Sequence, residues 1–236
     1  MTRAELLRTV FGCSHCAGTS LPFVRCNSGK WYRFPPIIGA RGHAFLLFVG
    51  INPRVSDSNR ALHESIVEHY AALEQLSQNR VDGAAYIGRP GLEAHYALHL
   101  RVAEKLFPGQ PFESVAAVTE LHFCASRSSV GLPKHSSKCA ERYFERVLDA
   151  VSPAVVFAVG KHVERTLRAG LNSATGIPMA IWRSGGAPVI TLPHPNAFGC
   201  KSEQERSAIE TAEHHLCIKG RKGAISDLRL PGCEYQ

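Results

Sequence analysis

The stretch Ala44-Phe45-Leu46-Leu47-Phe48-Val49-Gly50-Ile51-Asn52-Pro53 decides how this chain is read. Its first six residues are apolar without alternation, the pattern of a strand buried on both faces of a parallel sheet. Gly50-Ile51-Asn52-Pro53-Arg54 then turns the run into a loop. In an open α/β sheet, ligands bind in the crevice beyond the carboxyl ends of the strands. Asn52 is therefore carried to a place where such proteins bind their ligands.

A second segment, Leu192-Pro193-His194-Pro195-Asn196-Ala197-Phe198, follows another β-prone run from Pro188 to Leu192 and carries a histidine to the same kind of place. Between the two, Val115 to Phe123 and Ala154 to Val159 read as strands, and alternation puts Val118, Glu120 and His122 on one face of the former. Helical spacing recurs at Leu62, Ile66, Tyr70, Leu73 and Leu76, then from about Leu92 to Leu106, and again through Tyr143, Phe144, Val147 and Leu148. A short helix closes at Gly170, and Ser202 with Glu205 forms a capping box for a final helix ending near Gly220. Strands alternating with helices predict an α/β fold.

The 236 residues suffice for one sizeable domain. Residues 1–40 show little hydrophobic periodicity and read as a cysteine-containing segment wrapped on the main domain. The main domain spans 41–220 with a helical insertion over about 61–112, and 221–236 form a polar tail. No stretch reaches the roughly 18 apolar residues of a membrane span, and Met1-Thr2-Arg3-Ala4-Glu5 lacks a secretory pattern. A soluble, cytoplasmic monomer without a membrane partner is expected.

Lys and Arg total 27 against 20 Asp and Glu, a formal charge of +7. That excess suits a polyanion such as DNA, whose counterions basic side chains release. A merely basic soluble protein has the same balance. Eight cysteines in a chain of this kind point to metal or cluster ligation rather than disulfides. Cys13 and Cys16 have a chelating spacing, and Cys124 and Cys139 flank a loop just after a strand.

The two loops, in their order and their position after strands, resemble the uracil-DNA glycosylase superfamily. That family carries a Gly-x-(Asp/Asn)-Pro segment after its first core strand and a His-Pro-(Ser/Ala) segment after its last. Gly50-Ile51-Asn52-Pro53 is similar to the Asn-bearing versions in thymine-DNA glycosylases and single-strand-selective uracil glycosylases, and His194-Pro195 matches the second loop. The resemblance implies a three-layer αβα sandwich around a central, mostly parallel four-stranded sheet. Cys13, Cys16, Cys124 and Cys139 resemble the ligand set of the family's iron-sulfur branch, which implies a [4Fe-4S] cluster. Four thiolates also hold Zn2+, so that alternative stays open. Cys26 could replace one member of the second pair, whereas Cys200, Cys217 and Cys233 read as ordinary small residues.

Breaking an N-glycosidic bond builds oxocarbenium character on the sugar and negative charge on the departing base. The resemblance implies that Asn52 orients the attacking water, with Gly50 and Ile51 beside the base, and that His194 donates to O2 of the leaving base. His194 is otherwise a loop histidine held by a backbone partner. Asp57 either assists the water or caps the following helix. Phe198 matches the family's wedge into the gap left by a flipped base, or anchors its loop in the core. Lys134, His135, Lys138 and Asn196 are candidates for the DNA backbone.

The chain departs from the iron-sulfur uracil glycosylases at the base reader, where an Asn four residues before the third cysteine is replaced by Glu120. An ionised carboxylate only accepts, so it opposes uracil O4 but suits the N4 amine of cytosine, and a protonated one also donates to N3. In the alternative reading Glu120 pairs with His122 or an Arg and does not touch the base. The family's stacking Phe has no counterpart between Arg54 and Arg60, which leaves the base's 5-position open. Excision of plain cytosine would harm the host, so the expectation is a monofunctional DNA glycosylase for 5-substituted cytosine, as in phage DNA, acting in antiviral defence. The alternatives are a uracil or 5-modified-uracil repair glycosylase and a non-catalytic, metal-stabilised DNA-binding module.

Overall fold

Leu46, Leu47, Phe48 and Val49 are wholly buried, as an unbroken apolar run requires. The computed structural model places them in strand β2 (Leu46–Gly50), the middle strand of a five-stranded sheet. The structure describes residues 3–15, 36–39, 44–53, 93–127, 132–167, 187–195 and 201–221.

In chain order the elements are α1 (Arg3–Phe11), β1 (Ile38–Gly39), β2, α2 (Glu93–Leu106), α3 (Phe112–Val115), β3 (Ala116–Glu120), α4 (Pro133–Val151), β4 (Val155–Val159), β5 (Val189–Leu192) and α5 (Lys201–Arg221). Residues 161–167 are also helical. The strand order is β1-β3-β2-β4-β5, with every pair parallel except β1 with β3.

The fold is therefore α/β, but the sheet is mixed and five-stranded rather than four-stranded. The extra strand is a two-residue antiparallel edge, pairing Ile38 with Val118 and Gly39 with Ala117. Two residues carry no alternation that a sequence could display. Position 39 must be glycine: its φ is 85°, and a Cβ would lie 2.8 Å from the Ala116 carbonyl oxygen.

Alternate strand residues feed two apolar cores. Leu46, Phe48, Val118, Val155 and Phe157 join Tyr96, Leu98 and Val102 of α2 and Ile209, Ala212 and Leu216 of α5. Leu47, Val49, Ala117, Val156 and Ala158 join Leu6 and Val10 of α1 and Phe144, Val147 and Val151 of α4. Burying each large apolar side chain contributes about 1.5–3 kcal/mol, which holds helices to both faces of the sheet. Helix α2 belongs to the stretch read as an insertion over 61–112, and its apolar stripe packs on the sheet; residues 61–92 lie outside the described ones.

Three local expectations change. The segment read as lacking periodicity begins with helix α1, whose nine residues bury Leu6, Leu7 and Val10. Helix α4 starts at Pro133, so Lys134, His135, Lys138 and Cys139 lie on its first turns and not in a loop. Helix α5 starts at Lys201, before the supposed cap Ser202. Glu205 instead accepts from Arg101 of α2, Nε to Oε1 at 2.9 Å and Nη2 to Oε2 at 2.7 Å. A paired fork of this kind outweighs the single backbone contact of a cap.

Candidate active site

The chain leaves β2 for β3 on one side and returns on the other side with β4. The β2/β4 boundary is thus a topological switch point, where a crevice opens beyond the carboxyl ends of the strands. Residues 50–53 enter this region, and three backbone hydrogen bonds tie them to the segment after β3. Leu121 N donates to Gly50 O at 2.9 Å, His122 N to Ile51 O at 3.0 Å and Ser126 N to Pro53 O at 3.1 Å. The loop extends the β2–β3 ladder, which fixes its path.

Asn52 is buried, and its Nδ2 donates to Pro53 O at 2.9 Å and to Ser126 Oγ at 2.7 Å. A carbonyl oxygen only accepts, so the contact to Pro53 settles which way the amide is turned. Both amide protons are used, while Oδ1 is buried with no hydrogen-bond partner among the described residues. An acceptor left so costs about 1–3 kcal/mol, which a bound water or substrate donor would recover.

Glu120 ends β3 in register with Gly50. A Cβ at position 50 would lie 2.7 Å from Glu120 Cδ and 2.8 Å from Oε1, and would overlap Oε2. The missing side chain of Gly50 is what gives the carboxyl its room. Oε2 is buried with no hydrogen-bond partner among the described residues. Burial pushes the carboxyl pKa up to about 8. With that pKa Glu120 is a protonated acid at neutral pH, able both to donate and to accept, and no ion pair joins it to His122 or to an arginine among the described residues.

His194 reaches the same end of the sheet from β5. Leu192 and Pro193 are buried and His194 is exposed. Its loop is held at both ends. Gly160 N, directly after β4, donates to Leu192 O at 2.8 Å, and Lys201 Nζ donates to Pro195 O at 2.7 Å. Gly160 has φ 95°, and a Cβ there would lie 3.3 Å from His194 Cβ, so glycine permits the two segments to approach.

The structure brings Gly50, Ile51, Asn52 and Glu120 together and sets His194 beside Gly160 at the adjoining strand end. Asp57, Asn196, Phe198 and Cys16 lie outside the described residues, as do the side chains of Lys134, His135 and Lys138. The sequence reading passed over Ser126, Gly160 and Lys201. Gly160 had a signal, since it follows the apolar run Val155–Val159 as Gly50 follows β2. Ser126 had none, because its partner lies 74 residues away.

Cys13 follows α1, and Cys139 lies one turn before Tyr143 on α4. The two thiols act on the same phenol: burial first, then a hydrogen bond with Cys13 and the charges of Cys13 and Cys139, hold the Tyr143 pKa far above its ordinary value. Phe123, next to Cys124, meets the Tyr143 ring edge-on at 5.8 Å. None of Cys13, Cys124 and Cys139 is in a disulfide. Two members of the expected ligand set thus converge at Tyr143, with the chain of a third passing beside it. A cavity of about 370 Å³ opens there, lined by Cys13, His15, Arg142 and Tyr143 among others. Among the described residues, no three His, Cys, Asp or Glu side chains are grouped closely enough to share a metal ion. Cys217, read as an ordinary small residue, is in a disulfide.

Among the described residues no helix is long and apolar enough to cross a membrane. No protein-family model matches the chain, and no curated protein matches it.

Proposed function

We propose that this protein is a monofunctional DNA glycosylase with the three-layer αβα sandwich of the uracil-DNA glycosylase superfamily. The observation that carries this reading is the state of Asn52, just beyond β2: both amide protons are spent inside the protein, and its buried carbonyl oxygen has no hydrogen-bond partner among the described residues. That is the arrangement needed to orient a water against C1′ of a flipped nucleotide. His194 donates to the base oxygen on which charge grows as the bond breaks. Water then supplies hydroxyl to C1′ and a proton to the departing base, leaving an abasic site. The proposed mechanism uses water and no lysine Schiff base, so the strand stays intact.

The base is read by Glu120, and 5-substituted cytosine is the favoured substrate class, which fits a role against modified phage DNA. Cytosine N4 donates to the carboxyl in either protonation state, while N3 accepts a hydrogen bond from the neutral acid. The burial of Glu120 also supports uracil as a second reading, since a neutral acid can donate to O4 and accept from N3–H. The +7 charge suits a DNA partner, engaged by a monomer. Cys13, Cys16, Cys124 and Cys139 would hold a [4Fe-4S] cluster that pins α1 against α4; Zn2+ is the alternative.

The test is single-turnover excision on duplexes containing cytosine, 5-substituted cytosines or uracil, scored as abasic sites. Asn52→Ala and His194→Ala should each slow the chemical step by roughly 100-fold or more, with DNA affinity little changed. Abasic sites formed at the wild-type rate by both variants would overturn the mechanism.

A further inference from the structure

Ser126 is wholly buried and sits beyond β3, with its Oγ 2.7 Å from Asn52 Nδ2 and its backbone N 3.1 Å from Pro53 O. Pro53 O accepts from Asn52 Nδ2 as well, at 2.9 Å. Ser126, Asn52 and Pro53 therefore form a closed set of three contacts around one amide. We infer that Ser126 is a positioning residue, which holds the Asn52 side chain so that its carbonyl oxygen, and not its nitrogen, meets the attacking water. This rests on the glycosylase reading proposed above.

The physical reason is that an amide has two nearly isosteric ends with opposite hydrogen-bonding character. Only the oxygen end can accept a hydrogen bond from a water and so aim that water's lone pair at C1′. The contact to Pro53 O alone allows the amide to swing about its side-chain torsions. A second acceptor, Ser126 Oγ, captures the other proton and fixes the plane of the group. Because Pro53 O also accepts from Ser126 N, the serine holds the loop backbone and the amide through the same short segment. Misplacement of a reacting group by about 1 Å can cost roughly 100-fold in rate, so loss of this second anchor should be visible in the chemical step.

The experiment uses the full chain. Ser126→Ala should lower single-turnover excision roughly 10- to 100-fold, while the Kd for DNA changes less than about twofold. In the Asn52→Ala background the same substitution should cost nothing further, because its effect passes through that amide. A residue that merely supported the loop would subtract again in the double variant, and that result would overturn the inference. Side-chain amide NMR gives a readout that does not depend on activity: the Asn52 Nδ2 protons should exchange slowly in the wild-type protein and rapidly in Ser126→Ala. If they exchange alike in both proteins, the positioning role fails even if the glycosylase is real. If the wild-type protein forms no abasic site on any duplex, the glycosylase reading fails first and takes the catalytic role of Ser126 with it, even where the NMR contrast is seen.

Discussion

Gly50 and Glu120 are register partners on adjacent parallel strands, and the Glu120 carboxyl fills the space that a side chain at position 50 would occupy. A small residue at the end of one strand thus creates the pocket for an acid at the end of the next. The pair explains how a Glu is buried here with no countercharge among the described residues: its desolvation is met by neutralisation.

Gly50→Ala should therefore destabilise the protein by about 1–3 kcal/mol, the usual scale for overpacking, as read from urea unfolding. In a Glu120→Ala background the cost should largely vanish, giving a coupling energy of about 1 kcal/mol or more. Strictly additive costs would show that the carboxyl swings aside freely.

The protonation of Glu120 sets a stability trend. Its folded pKa is about 8 against an ordinary value of 4.5. Between these values the folded state keeps a proton that the unfolded state has lost, so stability is greatest below the lower value and falls as pH rises through the window. Above about pH 8 the trend levels off. Glu120→Gln removes this dependence, and its stability relative to the wild-type protein should rise steadily across that window. A constant difference between the two would place the carboxyl in an ionised state at neutral pH.

The same titration separates the two candidate bases. Uracil needs the neutral acid, because an ionised Glu120 opposes O4, whereas cytosine N4 donates to either form. The ratio of cytosine to uracil excision should rise as pH passes about 8. Glu120→Asn, which restores an amide that pairs with uracil, should move the order of preference toward uracil and remove the pH effect. If this variant leaves the order unchanged on matched duplexes, Glu120 does not read the base.

Helices α2 and α5 are joined through Arg101 and Glu205, with Lys105 Nζ 3.6 Å from the same carboxylate. The hydrogen bond from Arg101, with the neighbouring positive charges, holds the Glu205 pKa below its ordinary value. The stability it contributes is present above the ordinary carboxylate range and is lost as pH falls through the depressed pKa. Arg101→Ala should cost about 1–2 kcal/mol at neutral pH and much less in acid.

For the cysteines, anaerobically purified protein should be brown with broad absorbance near roughly 400 nm. Cys13→Ser and Cys139→Ser should each bleach it. Colourless protein holding one zinc per chain would replace the cluster with a tetrathiolate site.

The parallel strands were legible because a strand buried on both faces needs an unbroken apolar run, and Leu46–Val49 and Val155–Val159 supply it locally. The loops were legible too, since Gly50, Pro53 and Pro195 break such runs within a few residues. Strand β1 was not, being two residues without a repeating pattern. Helix α1 was overlooked because nine residues give barely two turns over which a period can show. The expected cap of α5 failed because Ser202 and Glu205 satisfy a local rule, while Glu205 finds a stronger partner 104 residues away.

At the candidate site, the types and places of Asn52, Glu120 and His194 followed from the linear order of strands and loops. Their chemical states did not. Which end of the Asn52 amide is left without a partner among the described residues depends on Ser126, 74 residues distant. Whether Glu120 is ionised depends on how completely its neighbours exclude water and on the absence of bulk at Gly50. Local pattern selects strand, helix and turn because those are decided by nearest neighbours along the chain. Hydrogen-bond orientation and protonation answer to everything packed around a group, and only the folded chain assembles that surrounding.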